Sequence, residues 1–298
     1  MILTVCLNPT FQSTMLFNSF QEGEVNRCLE HYLDVSGKGM NTARILSQLG
    51  TEAAWLTHLG GPRKNEMLEL CAKDAVEVIH TDSCNEIRTC TTIICNGVCT
   101  ELVQNSEPVS KECEKSIRKL FSEAIVRAEA LIICGTRAPG YSKELYSDFV
   151  KEAKEKGKFV LLDIKGEDLL SCLPYHPDVI KPNFSEFVET FFGEKAPEQE
   201  QNNALLERVY AKMESLQEEY GCKSVISRGK HDLLLFDKRP STVVIVATEV
   251  VNSIGCGDTL TASLALSLLQ GHSLQQAASI ATNHATIQAK TIHPGSFV

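Results

Sequence analysis

An aspartate that closely follows a glycine-rich turn is the residue best suited to chemistry in this 298-residue chain. The segment 252–266 places Gly255, Cys256 and Gly257 directly before Asp258, where a helix is expected to begin. Consecutive backbone N–H groups at a helix N-terminus form a cradle for negative charge, and glycines allow a ligand to approach closely. The Asp258 carboxylate could accept a proton from a hydroxyl that attacks phosphorus. Alternatively, Asp258 only caps the helix and Gly257 only forms the turn.

A second glycine-rich helix entry lies in the segment 34–50. Here Gly37, Lys38 and Gly39 precede a helix that carries Asn41 in its first turn. A cation and an amide at such an entry suit a polyhydroxylated, anionic small molecule. An ordinary turn before a helix explains the same residues equally well.

A third candidate, VIKPNFSEF (179–187), lies where a strand is expected to lead into a helix. Asn183 and Glu186 are three residues apart, so both side chains can reach one point. An amide and a carboxylate there could organise a hydrated magnesium ion, which prefers oxygen ligands and keeps several waters. The same pair could instead form a capping box. The residues alone favour neither interpretation.

Composition and motif searches exclude several other classes of function. The formal net charge is −9, and no cluster of Lys and Arg indicates a nucleic-acid partner. No apolar run approaches the ~18 residues that span a bilayer, and no targeting segment is visible, so a cytoplasmic protein is expected. The chain has neither a P-loop nor a complete dinucleotide fingerprint. Its twelve cysteines lack metal-site spacing and are expected to be free thiols.

The elements that must position these residues alternate between short apolar strands and amphipathic helices from about residue 109 onward. This alternation predicts an α/β fold with a parallel sheet and helices on both faces. The first hundred residues differ, because segments 13–35 and 87–103 each suggest two antiparallel strands, the second pair joined at Asn96-Gly97. We expect these ribbons to form a small separate sheet that covers a cleft or mediates dimer contact.

Taken together, the motifs resemble those of the ribokinase-like (PfkB) sugar kinases, most closely the branch of 1-phosphofructokinase and tagatose-6-phosphate kinase. The resemblance implies one ribokinase-like domain over residues 1–298, a three-layer α/β/α unit with a mostly parallel central sheet. It also implies a β-sheet lid, inserted at about 11–35 and 86–105, that serves as a dimer clasp. The motifs that carry it are, in order, LNP (7–9), GEVNR (23–27), SGKGMN (36–41), LGG (59–61), CGTRAPG (134–140), KPNFSE (181–186), SRG (227–229) and GCGD (255–258).

The resemblance also implies roles for individual residues. Asp258 matches the catalytic base, and Gly255, Cys256 and Gly257 match the anion hole. Asn183 and Glu186 match the motif that governs magnesium, mainly through water, and the nucleotide phosphates. The nucleotide site also includes Ser227, Gly229 and Gly257. The residues expected to hold the sugar and its phosphate are Gln12, Arg27, Gly37, Lys38, Gly39, Asn41, Arg88 and Arg137.

Four positions depart from the family pattern. Gln12 stands where an aspartate is usual, Ser36 replaces a glycine, Arg137 adds a cation in place of the usual Ser-Leu-Pro turn, and Asp232 replaces a glycine. The phosphoryl-transfer residues are intact, whereas three of these changes lie on the sugar side. They therefore put the identity of the substrate in question, and not the reaction.

The expected activity is ATP-dependent phosphoryl transfer to a hydroxyl of a phosphorylated ketohexose, as in 1-phosphofructokinase. Mg²⁺ is the expected cofactor, and a monovalent cation is a further candidate. The partners expected are ATP, a phosphorylated sugar and a second copy of the chain. Tagatose 6-phosphate, or another phosphorylated sugar or polyol, is the alternative acceptor. A sugar-phosphate-binding protein without catalysis is the alternative of another class.

Overall fold

A nine-stranded sheet and a separate four-stranded sheet organise the computed structural model, which describes residues 1–246 and 248–298. The strands are β1 (Ile2–Val5), β2 (Thr10–Phe17), β3 (Glu30–Ser36), β4 (Ala53–Leu59), β5 (Glu77–Asp82), β6 (Arg88–Cys95), β7 (Val98–Leu102), β8 (Ala130–Cys134), β9 (Phe159–Asp163), β10 (Val179–Ile180), β11 (Lys223–Arg228), β12 (His231–Phe236) and β13 (Pro240–Val243). The helices are α1 (Lys38–Gln48), α2 (Lys64–Lys73), α3 (Lys111–Arg127), α4 (Leu145–Glu155), α5 (Gly166–Cys172), α6 (Phe184–Phe192), α7 (Asn203–Tyr220), α8 (Cys256–Leu269) and α9 (Leu274–Gln288), with a short 3₁₀ turn at Leu173–Tyr175.

The large sheet has the strand order β13-β12-β11-β10-β9-β8-β1-β4-β5 and is parallel from β11 to β5. At one edge, β12 pairs antiparallel with both of its neighbours, β11 and β13. Its central strands are buried on both faces, which explains why they read as continuous apolar runs. The expected ribokinase-like α/β fold, with a mostly parallel sheet and a lid, is confirmed.

Two hydrophobic cores flank the large sheet, because successive side chains of a strand point to opposite faces. Leu3 of β1 packs in a core with residues of α3 to α7, whereas Ile2 packs with residues of α1, α2, α8 and α9. Both residues have no solvent exposure. The two cores give the three layers, and the second one anchors the helices α1 and α8, which begin at the glycine-rich turns.

The small sheet, called the lid below, has the order β3-β2-β6-β7. β2 pairs antiparallel with β3 and parallel with β6, and β6 returns into β7 through a turn at Asn96 and Gly97, whose φ angles are 52° and 73°. Positive φ at both turn positions is the geometry that favours Asn-Gly in hairpins. The register pairs Gln12 with Cys90 and Thr92 with Glu101, so these side chains share one face of the lid.

Two smaller expectations concern the thiols and the membrane. All twelve cysteines are free thiols, and seven of them are buried. Among the described residues, no helix combines the length and the apolar character that a membrane span requires.

Candidate active site

A cavity of about 450 Å³ lies between the lid and the carboxyl ends of the parallel strands. In open α/β sheets this edge is where ligands bind. The three segments singled out in the sequence all reach it, through the entries of α1, α6 and α8. From the lid strands it receives Thr10, Gln12, Ser36, Arg88, Cys90 and Glu101, and Val103 follows directly after β7.

Asp258 lies at the floor of this cavity, in the first turn of α8. The N-cap of α8 is Gly255, at φ 89°, so Asp258 does not cap the helix. The carboxyl group is buried, with 6% of the residue exposed, and its Oδ2 accepts a hydrogen bond from Asn41 Nδ2 at 2.8 Å. Burial raises the pKa of Asp258 to about 6, while Lys38 and the Asn41 amide act in the opposite direction. A carboxylate of this pKa is still ionised at neutral pH and is a stronger base than an exposed one.

The anion cradle consists of the backbone at the start of α8. Gly255 and Gly257 line the cavity beside Asp258, whereas the side chain of Cys256 is not part of the lining. Burial raises the pKa of the Cys256 thiol to about 12, so this side chain stays neutral. The Cys256 N–H group donates to the Ser253 carbonyl at 3.3 Å, within the turn, so the anion cradle is left with the N–H groups of Gly255 and Gly257.

Asp163 is an ion-pair centre that the sequence motifs did not reveal. It ends β9, is 1% exposed, and its carboxylate contacts Lys38 Nζ at 3.1 Å, Lys181 Nζ at 3.2 Å and Thr261 Oγ1 at 2.8 Å. Burial alone would raise the pKa of Asp163, but the two lysines lower it. The signal available in the sequence was an Asp at the carboxyl end of a wholly apolar strand.

Lys38 extends from the start of α1 into the cavity, where 37% of its side chain is exposed. Burial alone would lower its pKa, yet Asp163, Glu186 and Asp258 raise it above the usual range. Lys38 is therefore a fixed cation beside the candidate base. Such a cation can stabilise charge on a transferring phosphoryl group.

Asn41 lies beside Lys38 on α1, but its amide is committed within the protein. One Nδ2 hydrogen bond goes to Asp258 and the other goes to Ser36 Oγ at 3.1 Å. The structure thus places Asn41 against the candidate base, whereas the resemblance assigns it to the sugar. Gly37, the N-cap of α1, lines the cavity, whereas Gly39 is in close packing with Cys6 and Trp55 behind it.

Asn183 and Glu186 form a capping box at the start of α6, and both also line the cavity. Asn183 Oδ1 accepts from the Glu186 N–H at 2.8 Å, and Glu186 Oε2 accepts from the Asn183 N–H at 3.0 Å. The two interpretations left open by the sequence are compatible, since Glu186 Oε1 has no partner among the described residues. Within residues 1–246 and 248–298, no group of three or more His, Cys, Asp or Glu side chains suited to a metal occurs. A carboxylate oxygen facing a polar cavity fits a hydrated Mg²⁺, held mainly through water.

The other nucleotide residues expected from the sequence are separated in the structure. Ser227 forms a parallel bridge with Asn183 and lines the cavity. Gly229 is not in the lining, and its N–H donates to Glu198 Oε1 at 3.1 Å. Glu198, which the motifs did not reveal, does line the cavity, and burial raises its pKa.

The lid side of the cavity presents mainly hydrogen-bond acceptors. Gln12 Nε2 donates to Thr92 Oγ1 at 2.8 Å, which leaves Gln12 Oε1 as the free atom of that amide. Asn8 Nδ2 donates to Thr136 Oγ1 at 3.1 Å, and Asn8 Oδ1 is buried without a partner in the described chain. Glu101 adds a carboxylate whose pKa burial raises. Free acceptors of this kind suit the O–H groups of a sugar.

Of the arginines expected at the sugar site, only Arg88 reaches the cavity. It is held by the carbonyl oxygens of Gln104 at 3.0 Å and Asn8 at 3.4 Å, and its Nε is buried without a partner among the described residues. Arg27 is exposed outside the cavity lining. Arg137 turns away from it, because Nη2 pairs with Asp168 at 2.9 Å and Nη1 donates to the Tyr141 carbonyl at 2.8 Å.

The lining of the cavity is acidic overall, which constrains how anions can bind. It contains three cations, Lys38, Arg88 and Lys181, and five carboxyl groups, Glu101, Asp163, Glu186, Glu198 and Asp258. A nucleoside triphosphate and a sugar phosphate would add further negative charge. A divalent cation that neutralises phosphate charge is therefore expected alongside them.

Comparison with known proteins agrees with the fold. The model of the pfkB family of carbohydrate kinases matches residues 7–296. The fold is similar to Escherichia coli phosphofructokinase-2 in complex with potassium, at 20% identity and a TM-score of 0.84, covering 98% of this chain and 93% of that one. The same enzyme in complex with fructose-6-phosphate matches at 21% identity and a TM-score of 0.83, covering 97% of this chain and 93% of that one. A Thermotoga maritima protein described as a possible 1-phosphofructokinase matches at 20% identity and a TM-score of 0.85, covering 98% of this chain and 92% of that one.

Proposed function

Because the chain belongs to the pfkB family of carbohydrate kinases, we propose that this ATP-dependent phosphotransferase acts on a hydroxyl of a phosphorylated ketohexose. The observation that carries the proposal is the shared cavity. It holds a buried carboxyl group with a pKa of about 6, the anion cradle, and one lid arginine, Arg88. Such a reaction needs a general base, a binding site for the transferred phosphoryl group and a cation for the phosphate that the acceptor already carries.

In the proposed reaction, Asp258 Oδ accepts the proton of the attacking hydroxyl as the new O–P bond forms and the bond from the γ-phosphorus to ADP breaks. The N–H groups of Gly255 and Gly257 donate to the oxygens of the phosphoryl group during transfer. Lys38 and Lys181 balance its charge and are themselves held by Asp163. Mg²⁺, when bound near Asn183 and Glu186, supplies charge neutralisation at the nucleotide phosphates.

The substrate class rests on the contents of the lid side of the cavity. Gln12 Oε1 and the Glu101 carboxylate accept hydrogen bonds from sugar hydroxyls. The Arg88 guanidinium lines this side of the cavity and is the cation for a phosphate group. We propose fructose 1-phosphate as the acceptor, with tagatose 6-phosphate as the alternative. Arg27 and Arg137 give this choice no support, because neither reaches the cavity.

An acceptor screen tests the proposal. Fructose 1-phosphate, tagatose 6-phosphate, fructose 6-phosphate, free fructose and ribose are each supplied with MgATP, and ADP release is measured. We expect a hexose phosphate to be the best acceptor and Asp258→Asn to lower its turnover by ~10²–10⁴-fold. ADP release with free sugars alone would contradict the substrate class. Saturable binding of sugar phosphates without any ADP release would favour the non-catalytic alternative.

We further propose that two copies of the chain associate through the lid. The lid face opposite the cavity carries Val98 and Leu102, which are 63% and 54% exposed. Apolar side chains exposed together on a sheet edge are typical of an interaction surface. Sedimentation of the wild-type protein and of Leu102→Asp tests this, since a dimer through the lid is expected to dissociate in the variant.

Dependence on a monovalent cation and a cytoplasmic location remain predictions. The potassium in the phosphofructokinase-2 structure supports the first, and activity measured in K⁺ against tetramethylammonium tests it. Twelve free thiols support the second, because free thiols persist in reducing compartments.

A further inference from the structure

Arg44 of α1 is a buried cation outside the cavity, at a point where four parts of the chain meet. Its Nη1 donates to Asn41 Oδ1 at 3.2 Å and to the Pro294 carbonyl at 3.0 Å. Its Nη2 donates to the Val35 carbonyl of lid strand β3 at 2.7 Å, and its Nε pairs with Asp74 at 2.8 Å. We propose that Arg44 is a positioning residue, which fixes the orientation of the Asn41 amide and thereby holds the Asp258 carboxylate in its ionised form.

The proposal depends on which atom of the Asn41 amide faces Asp258. A guanidinium group only donates hydrogen bonds, so the amide atom next to Arg44 must be the oxygen. The Nδ2 group is then directed at Asp258, where it donates to the carboxylate at 2.8 Å. Ser36 Oγ also contacts both amide atoms of Asn41, at 3.2 and 3.1 Å, but a hydroxyl both donates and accepts. Ser36 therefore cannot distinguish the two orientations, whereas Arg44 can.

The orientation matters because it favours one protonation state of Asp258. An N–H donor stabilises the ionised carboxylate, whereas a protonated carboxyl group could donate to the amide oxygen of a rotated Asn41. Without Arg44, the rotated pair becomes accessible and proton binding at Asp258 strengthens. Arg44 thus acts on the base through Asn41 without touching the cavity.

Packing on the other side of Asn41 supports the same role. The turn at Pro294 and Gly295 lies between Asn41 and Gly255, since a Cβ added to Gly295 would lie 2.5 Å from Asn41 Cβ, and one added to Gly255 would collide with Gly295. Arg44 binds the carbonyl group of this turn. The Arg44 guanidinium therefore holds both the Asn41 amide and the Pro294–Gly295 turn, and this turn packs against Gly255 of the anion cradle.

Other ionisable groups also influence Asp258, and the test must leave them in place. These are Lys38 on α1, Asp163 at the end of β9 and Lys181 after β10. The thiols of Cys6, Cys134 and Cys256 also lie near Asp258, and burial together with this carboxylate raises the pKa of each, so they stay neutral where Asp258 titrates. The substitution Arg44→Lys changes none of them and retains the positive charge beside Asp74. Gln48→Ala is the matched control, because Gln48 also ties α1 to the C-terminal segment, through Ser296 and Phe297, without contacting Asn41.

The experiment is a ¹³C NMR titration of the Asp258 carboxyl group, assigned with Asp258→Asn, in the wild-type protein and the variants. In Arg44→Lys we expect the titration midpoint to rise by about one pH unit, a tenfold change in proton affinity. In Gln48→Ala it should stay at the wild-type value. An unchanged midpoint in Arg44→Lys, or an equal rise in Gln48→Ala, would overturn the proposal.

Ser36→Ala keeps the proposal testable if Arg44→Lys does not fold, since it removes a single hydroxyl group. The proposal expects the Asp258 midpoint to stay near its wild-type value in this variant, and a rise of a full pH unit would assign the orienting role to Ser36 instead. The inference rests on the proposed function only in taking Asp258 as the base. If the midpoint rises in Arg44→Lys but the acidic limb of kcat/KM does not move, the base assignment fails and the positioning role of Arg44 stands.

Discussion

Replacing Asp258 by asparagine should make the protein more stable while removing its activity. The folded protein raises the pKa of this carboxyl group from 3.8 to about 6. A raised pKa means that the folded state binds the proton more tightly than the unfolded chain does. The contribution of Asp258 to stability is therefore full below pH 3.8 and is lost as the pH rises to about 6. By linkage, the ionised group costs about 3 kcal/mol at pH 7.

The neutral amide of Asp258→Asn avoids this cost and still accepts the hydrogen bond from Asn41. We expect the free energy of unfolding at pH 7, measured by urea titration, to increase by up to ~3 kcal/mol. At pH 3.5 the difference between the variant and the wild-type protein should nearly vanish, because the wild-type carboxyl group is then largely protonated. Turnover of the best acceptor should fall by ~10²–10⁴-fold, which is the usual contribution of a general base.

The matched control is Glu189→Gln on α6, a carboxylate whose only ion pair in the described chain is an exposed one with Lys165. It should change stability and turnover little. The reasoning about Asp258 is refuted if Asp258→Asn is less stable than the wild-type protein at pH 7, or if its stability gain is the same at pH 3.5. Retention of near-wild-type turnover would refute the assignment of the base independently of stability.

Three further substitutions test other parts of the site. Asp163→Asn should lower turnover at least ~10²-fold and destabilise the fold by ~3–5 kcal/mol in urea titration, because it leaves two lysines without their buried counter-ion. Equal stability of variant and wild type would refute the ion-pair role. Gln12→Asp should change the ratio of kcat/KM values between fructose 1-phosphate and tagatose 6-phosphate while the KM for ATP stays constant, since a carboxylate accepts charge-assisted hydrogen bonds. An acceptor profile identical to that of the wild type would remove Gln12 from substrate selection. Arg88→Lys should raise the KM for the best sugar phosphate about tenfold, whereas Arg27→Ala and Arg137→Ala should not, and the reverse pattern would show that the phosphate lies elsewhere.

The sequence predicted the central strands of the large sheet well, because they are buried on both faces and carry an unbroken apolar signal. Leu131, Ile132 and Ile133 illustrate this, since every one of them packs in a core. The Asn-Gly turn between β6 and β7 was equally visible, because its backbone geometry is confined to a few residue types. Local signals of this kind need no knowledge of the rest of the fold.

The partners of the site residues were less predictable, since they depend on contacts between distant segments. Asp163 is not part of a motif. Its importance becomes visible only in the folded chain, where its carboxylate lies between Lys38 of α1 and Lys181 after β10. Arg137 is the converse case, a residue that was expected at the site but does not line the cavity. Its position in a family motif placed it at the sugar, but Asp168 on α5 holds its side chain away. Glu101 was missed because the lid register, which pairs it with Thr92, is set by strand pairing and not by composition.

The separation in sequence of the groups that meet at Asp258 has a consequence for the order of folding. Asn41 and Asp258 are 217 residues apart, and Arg44 and Pro294 are 250 residues apart. Contacts that close such long loops form late, because their entropic cost precedes any gain from packing. Recovery of turnover after dilution from urea should thus lag behind recovery of helix and strand signals, and would report the moment when the two ends of the chain meet.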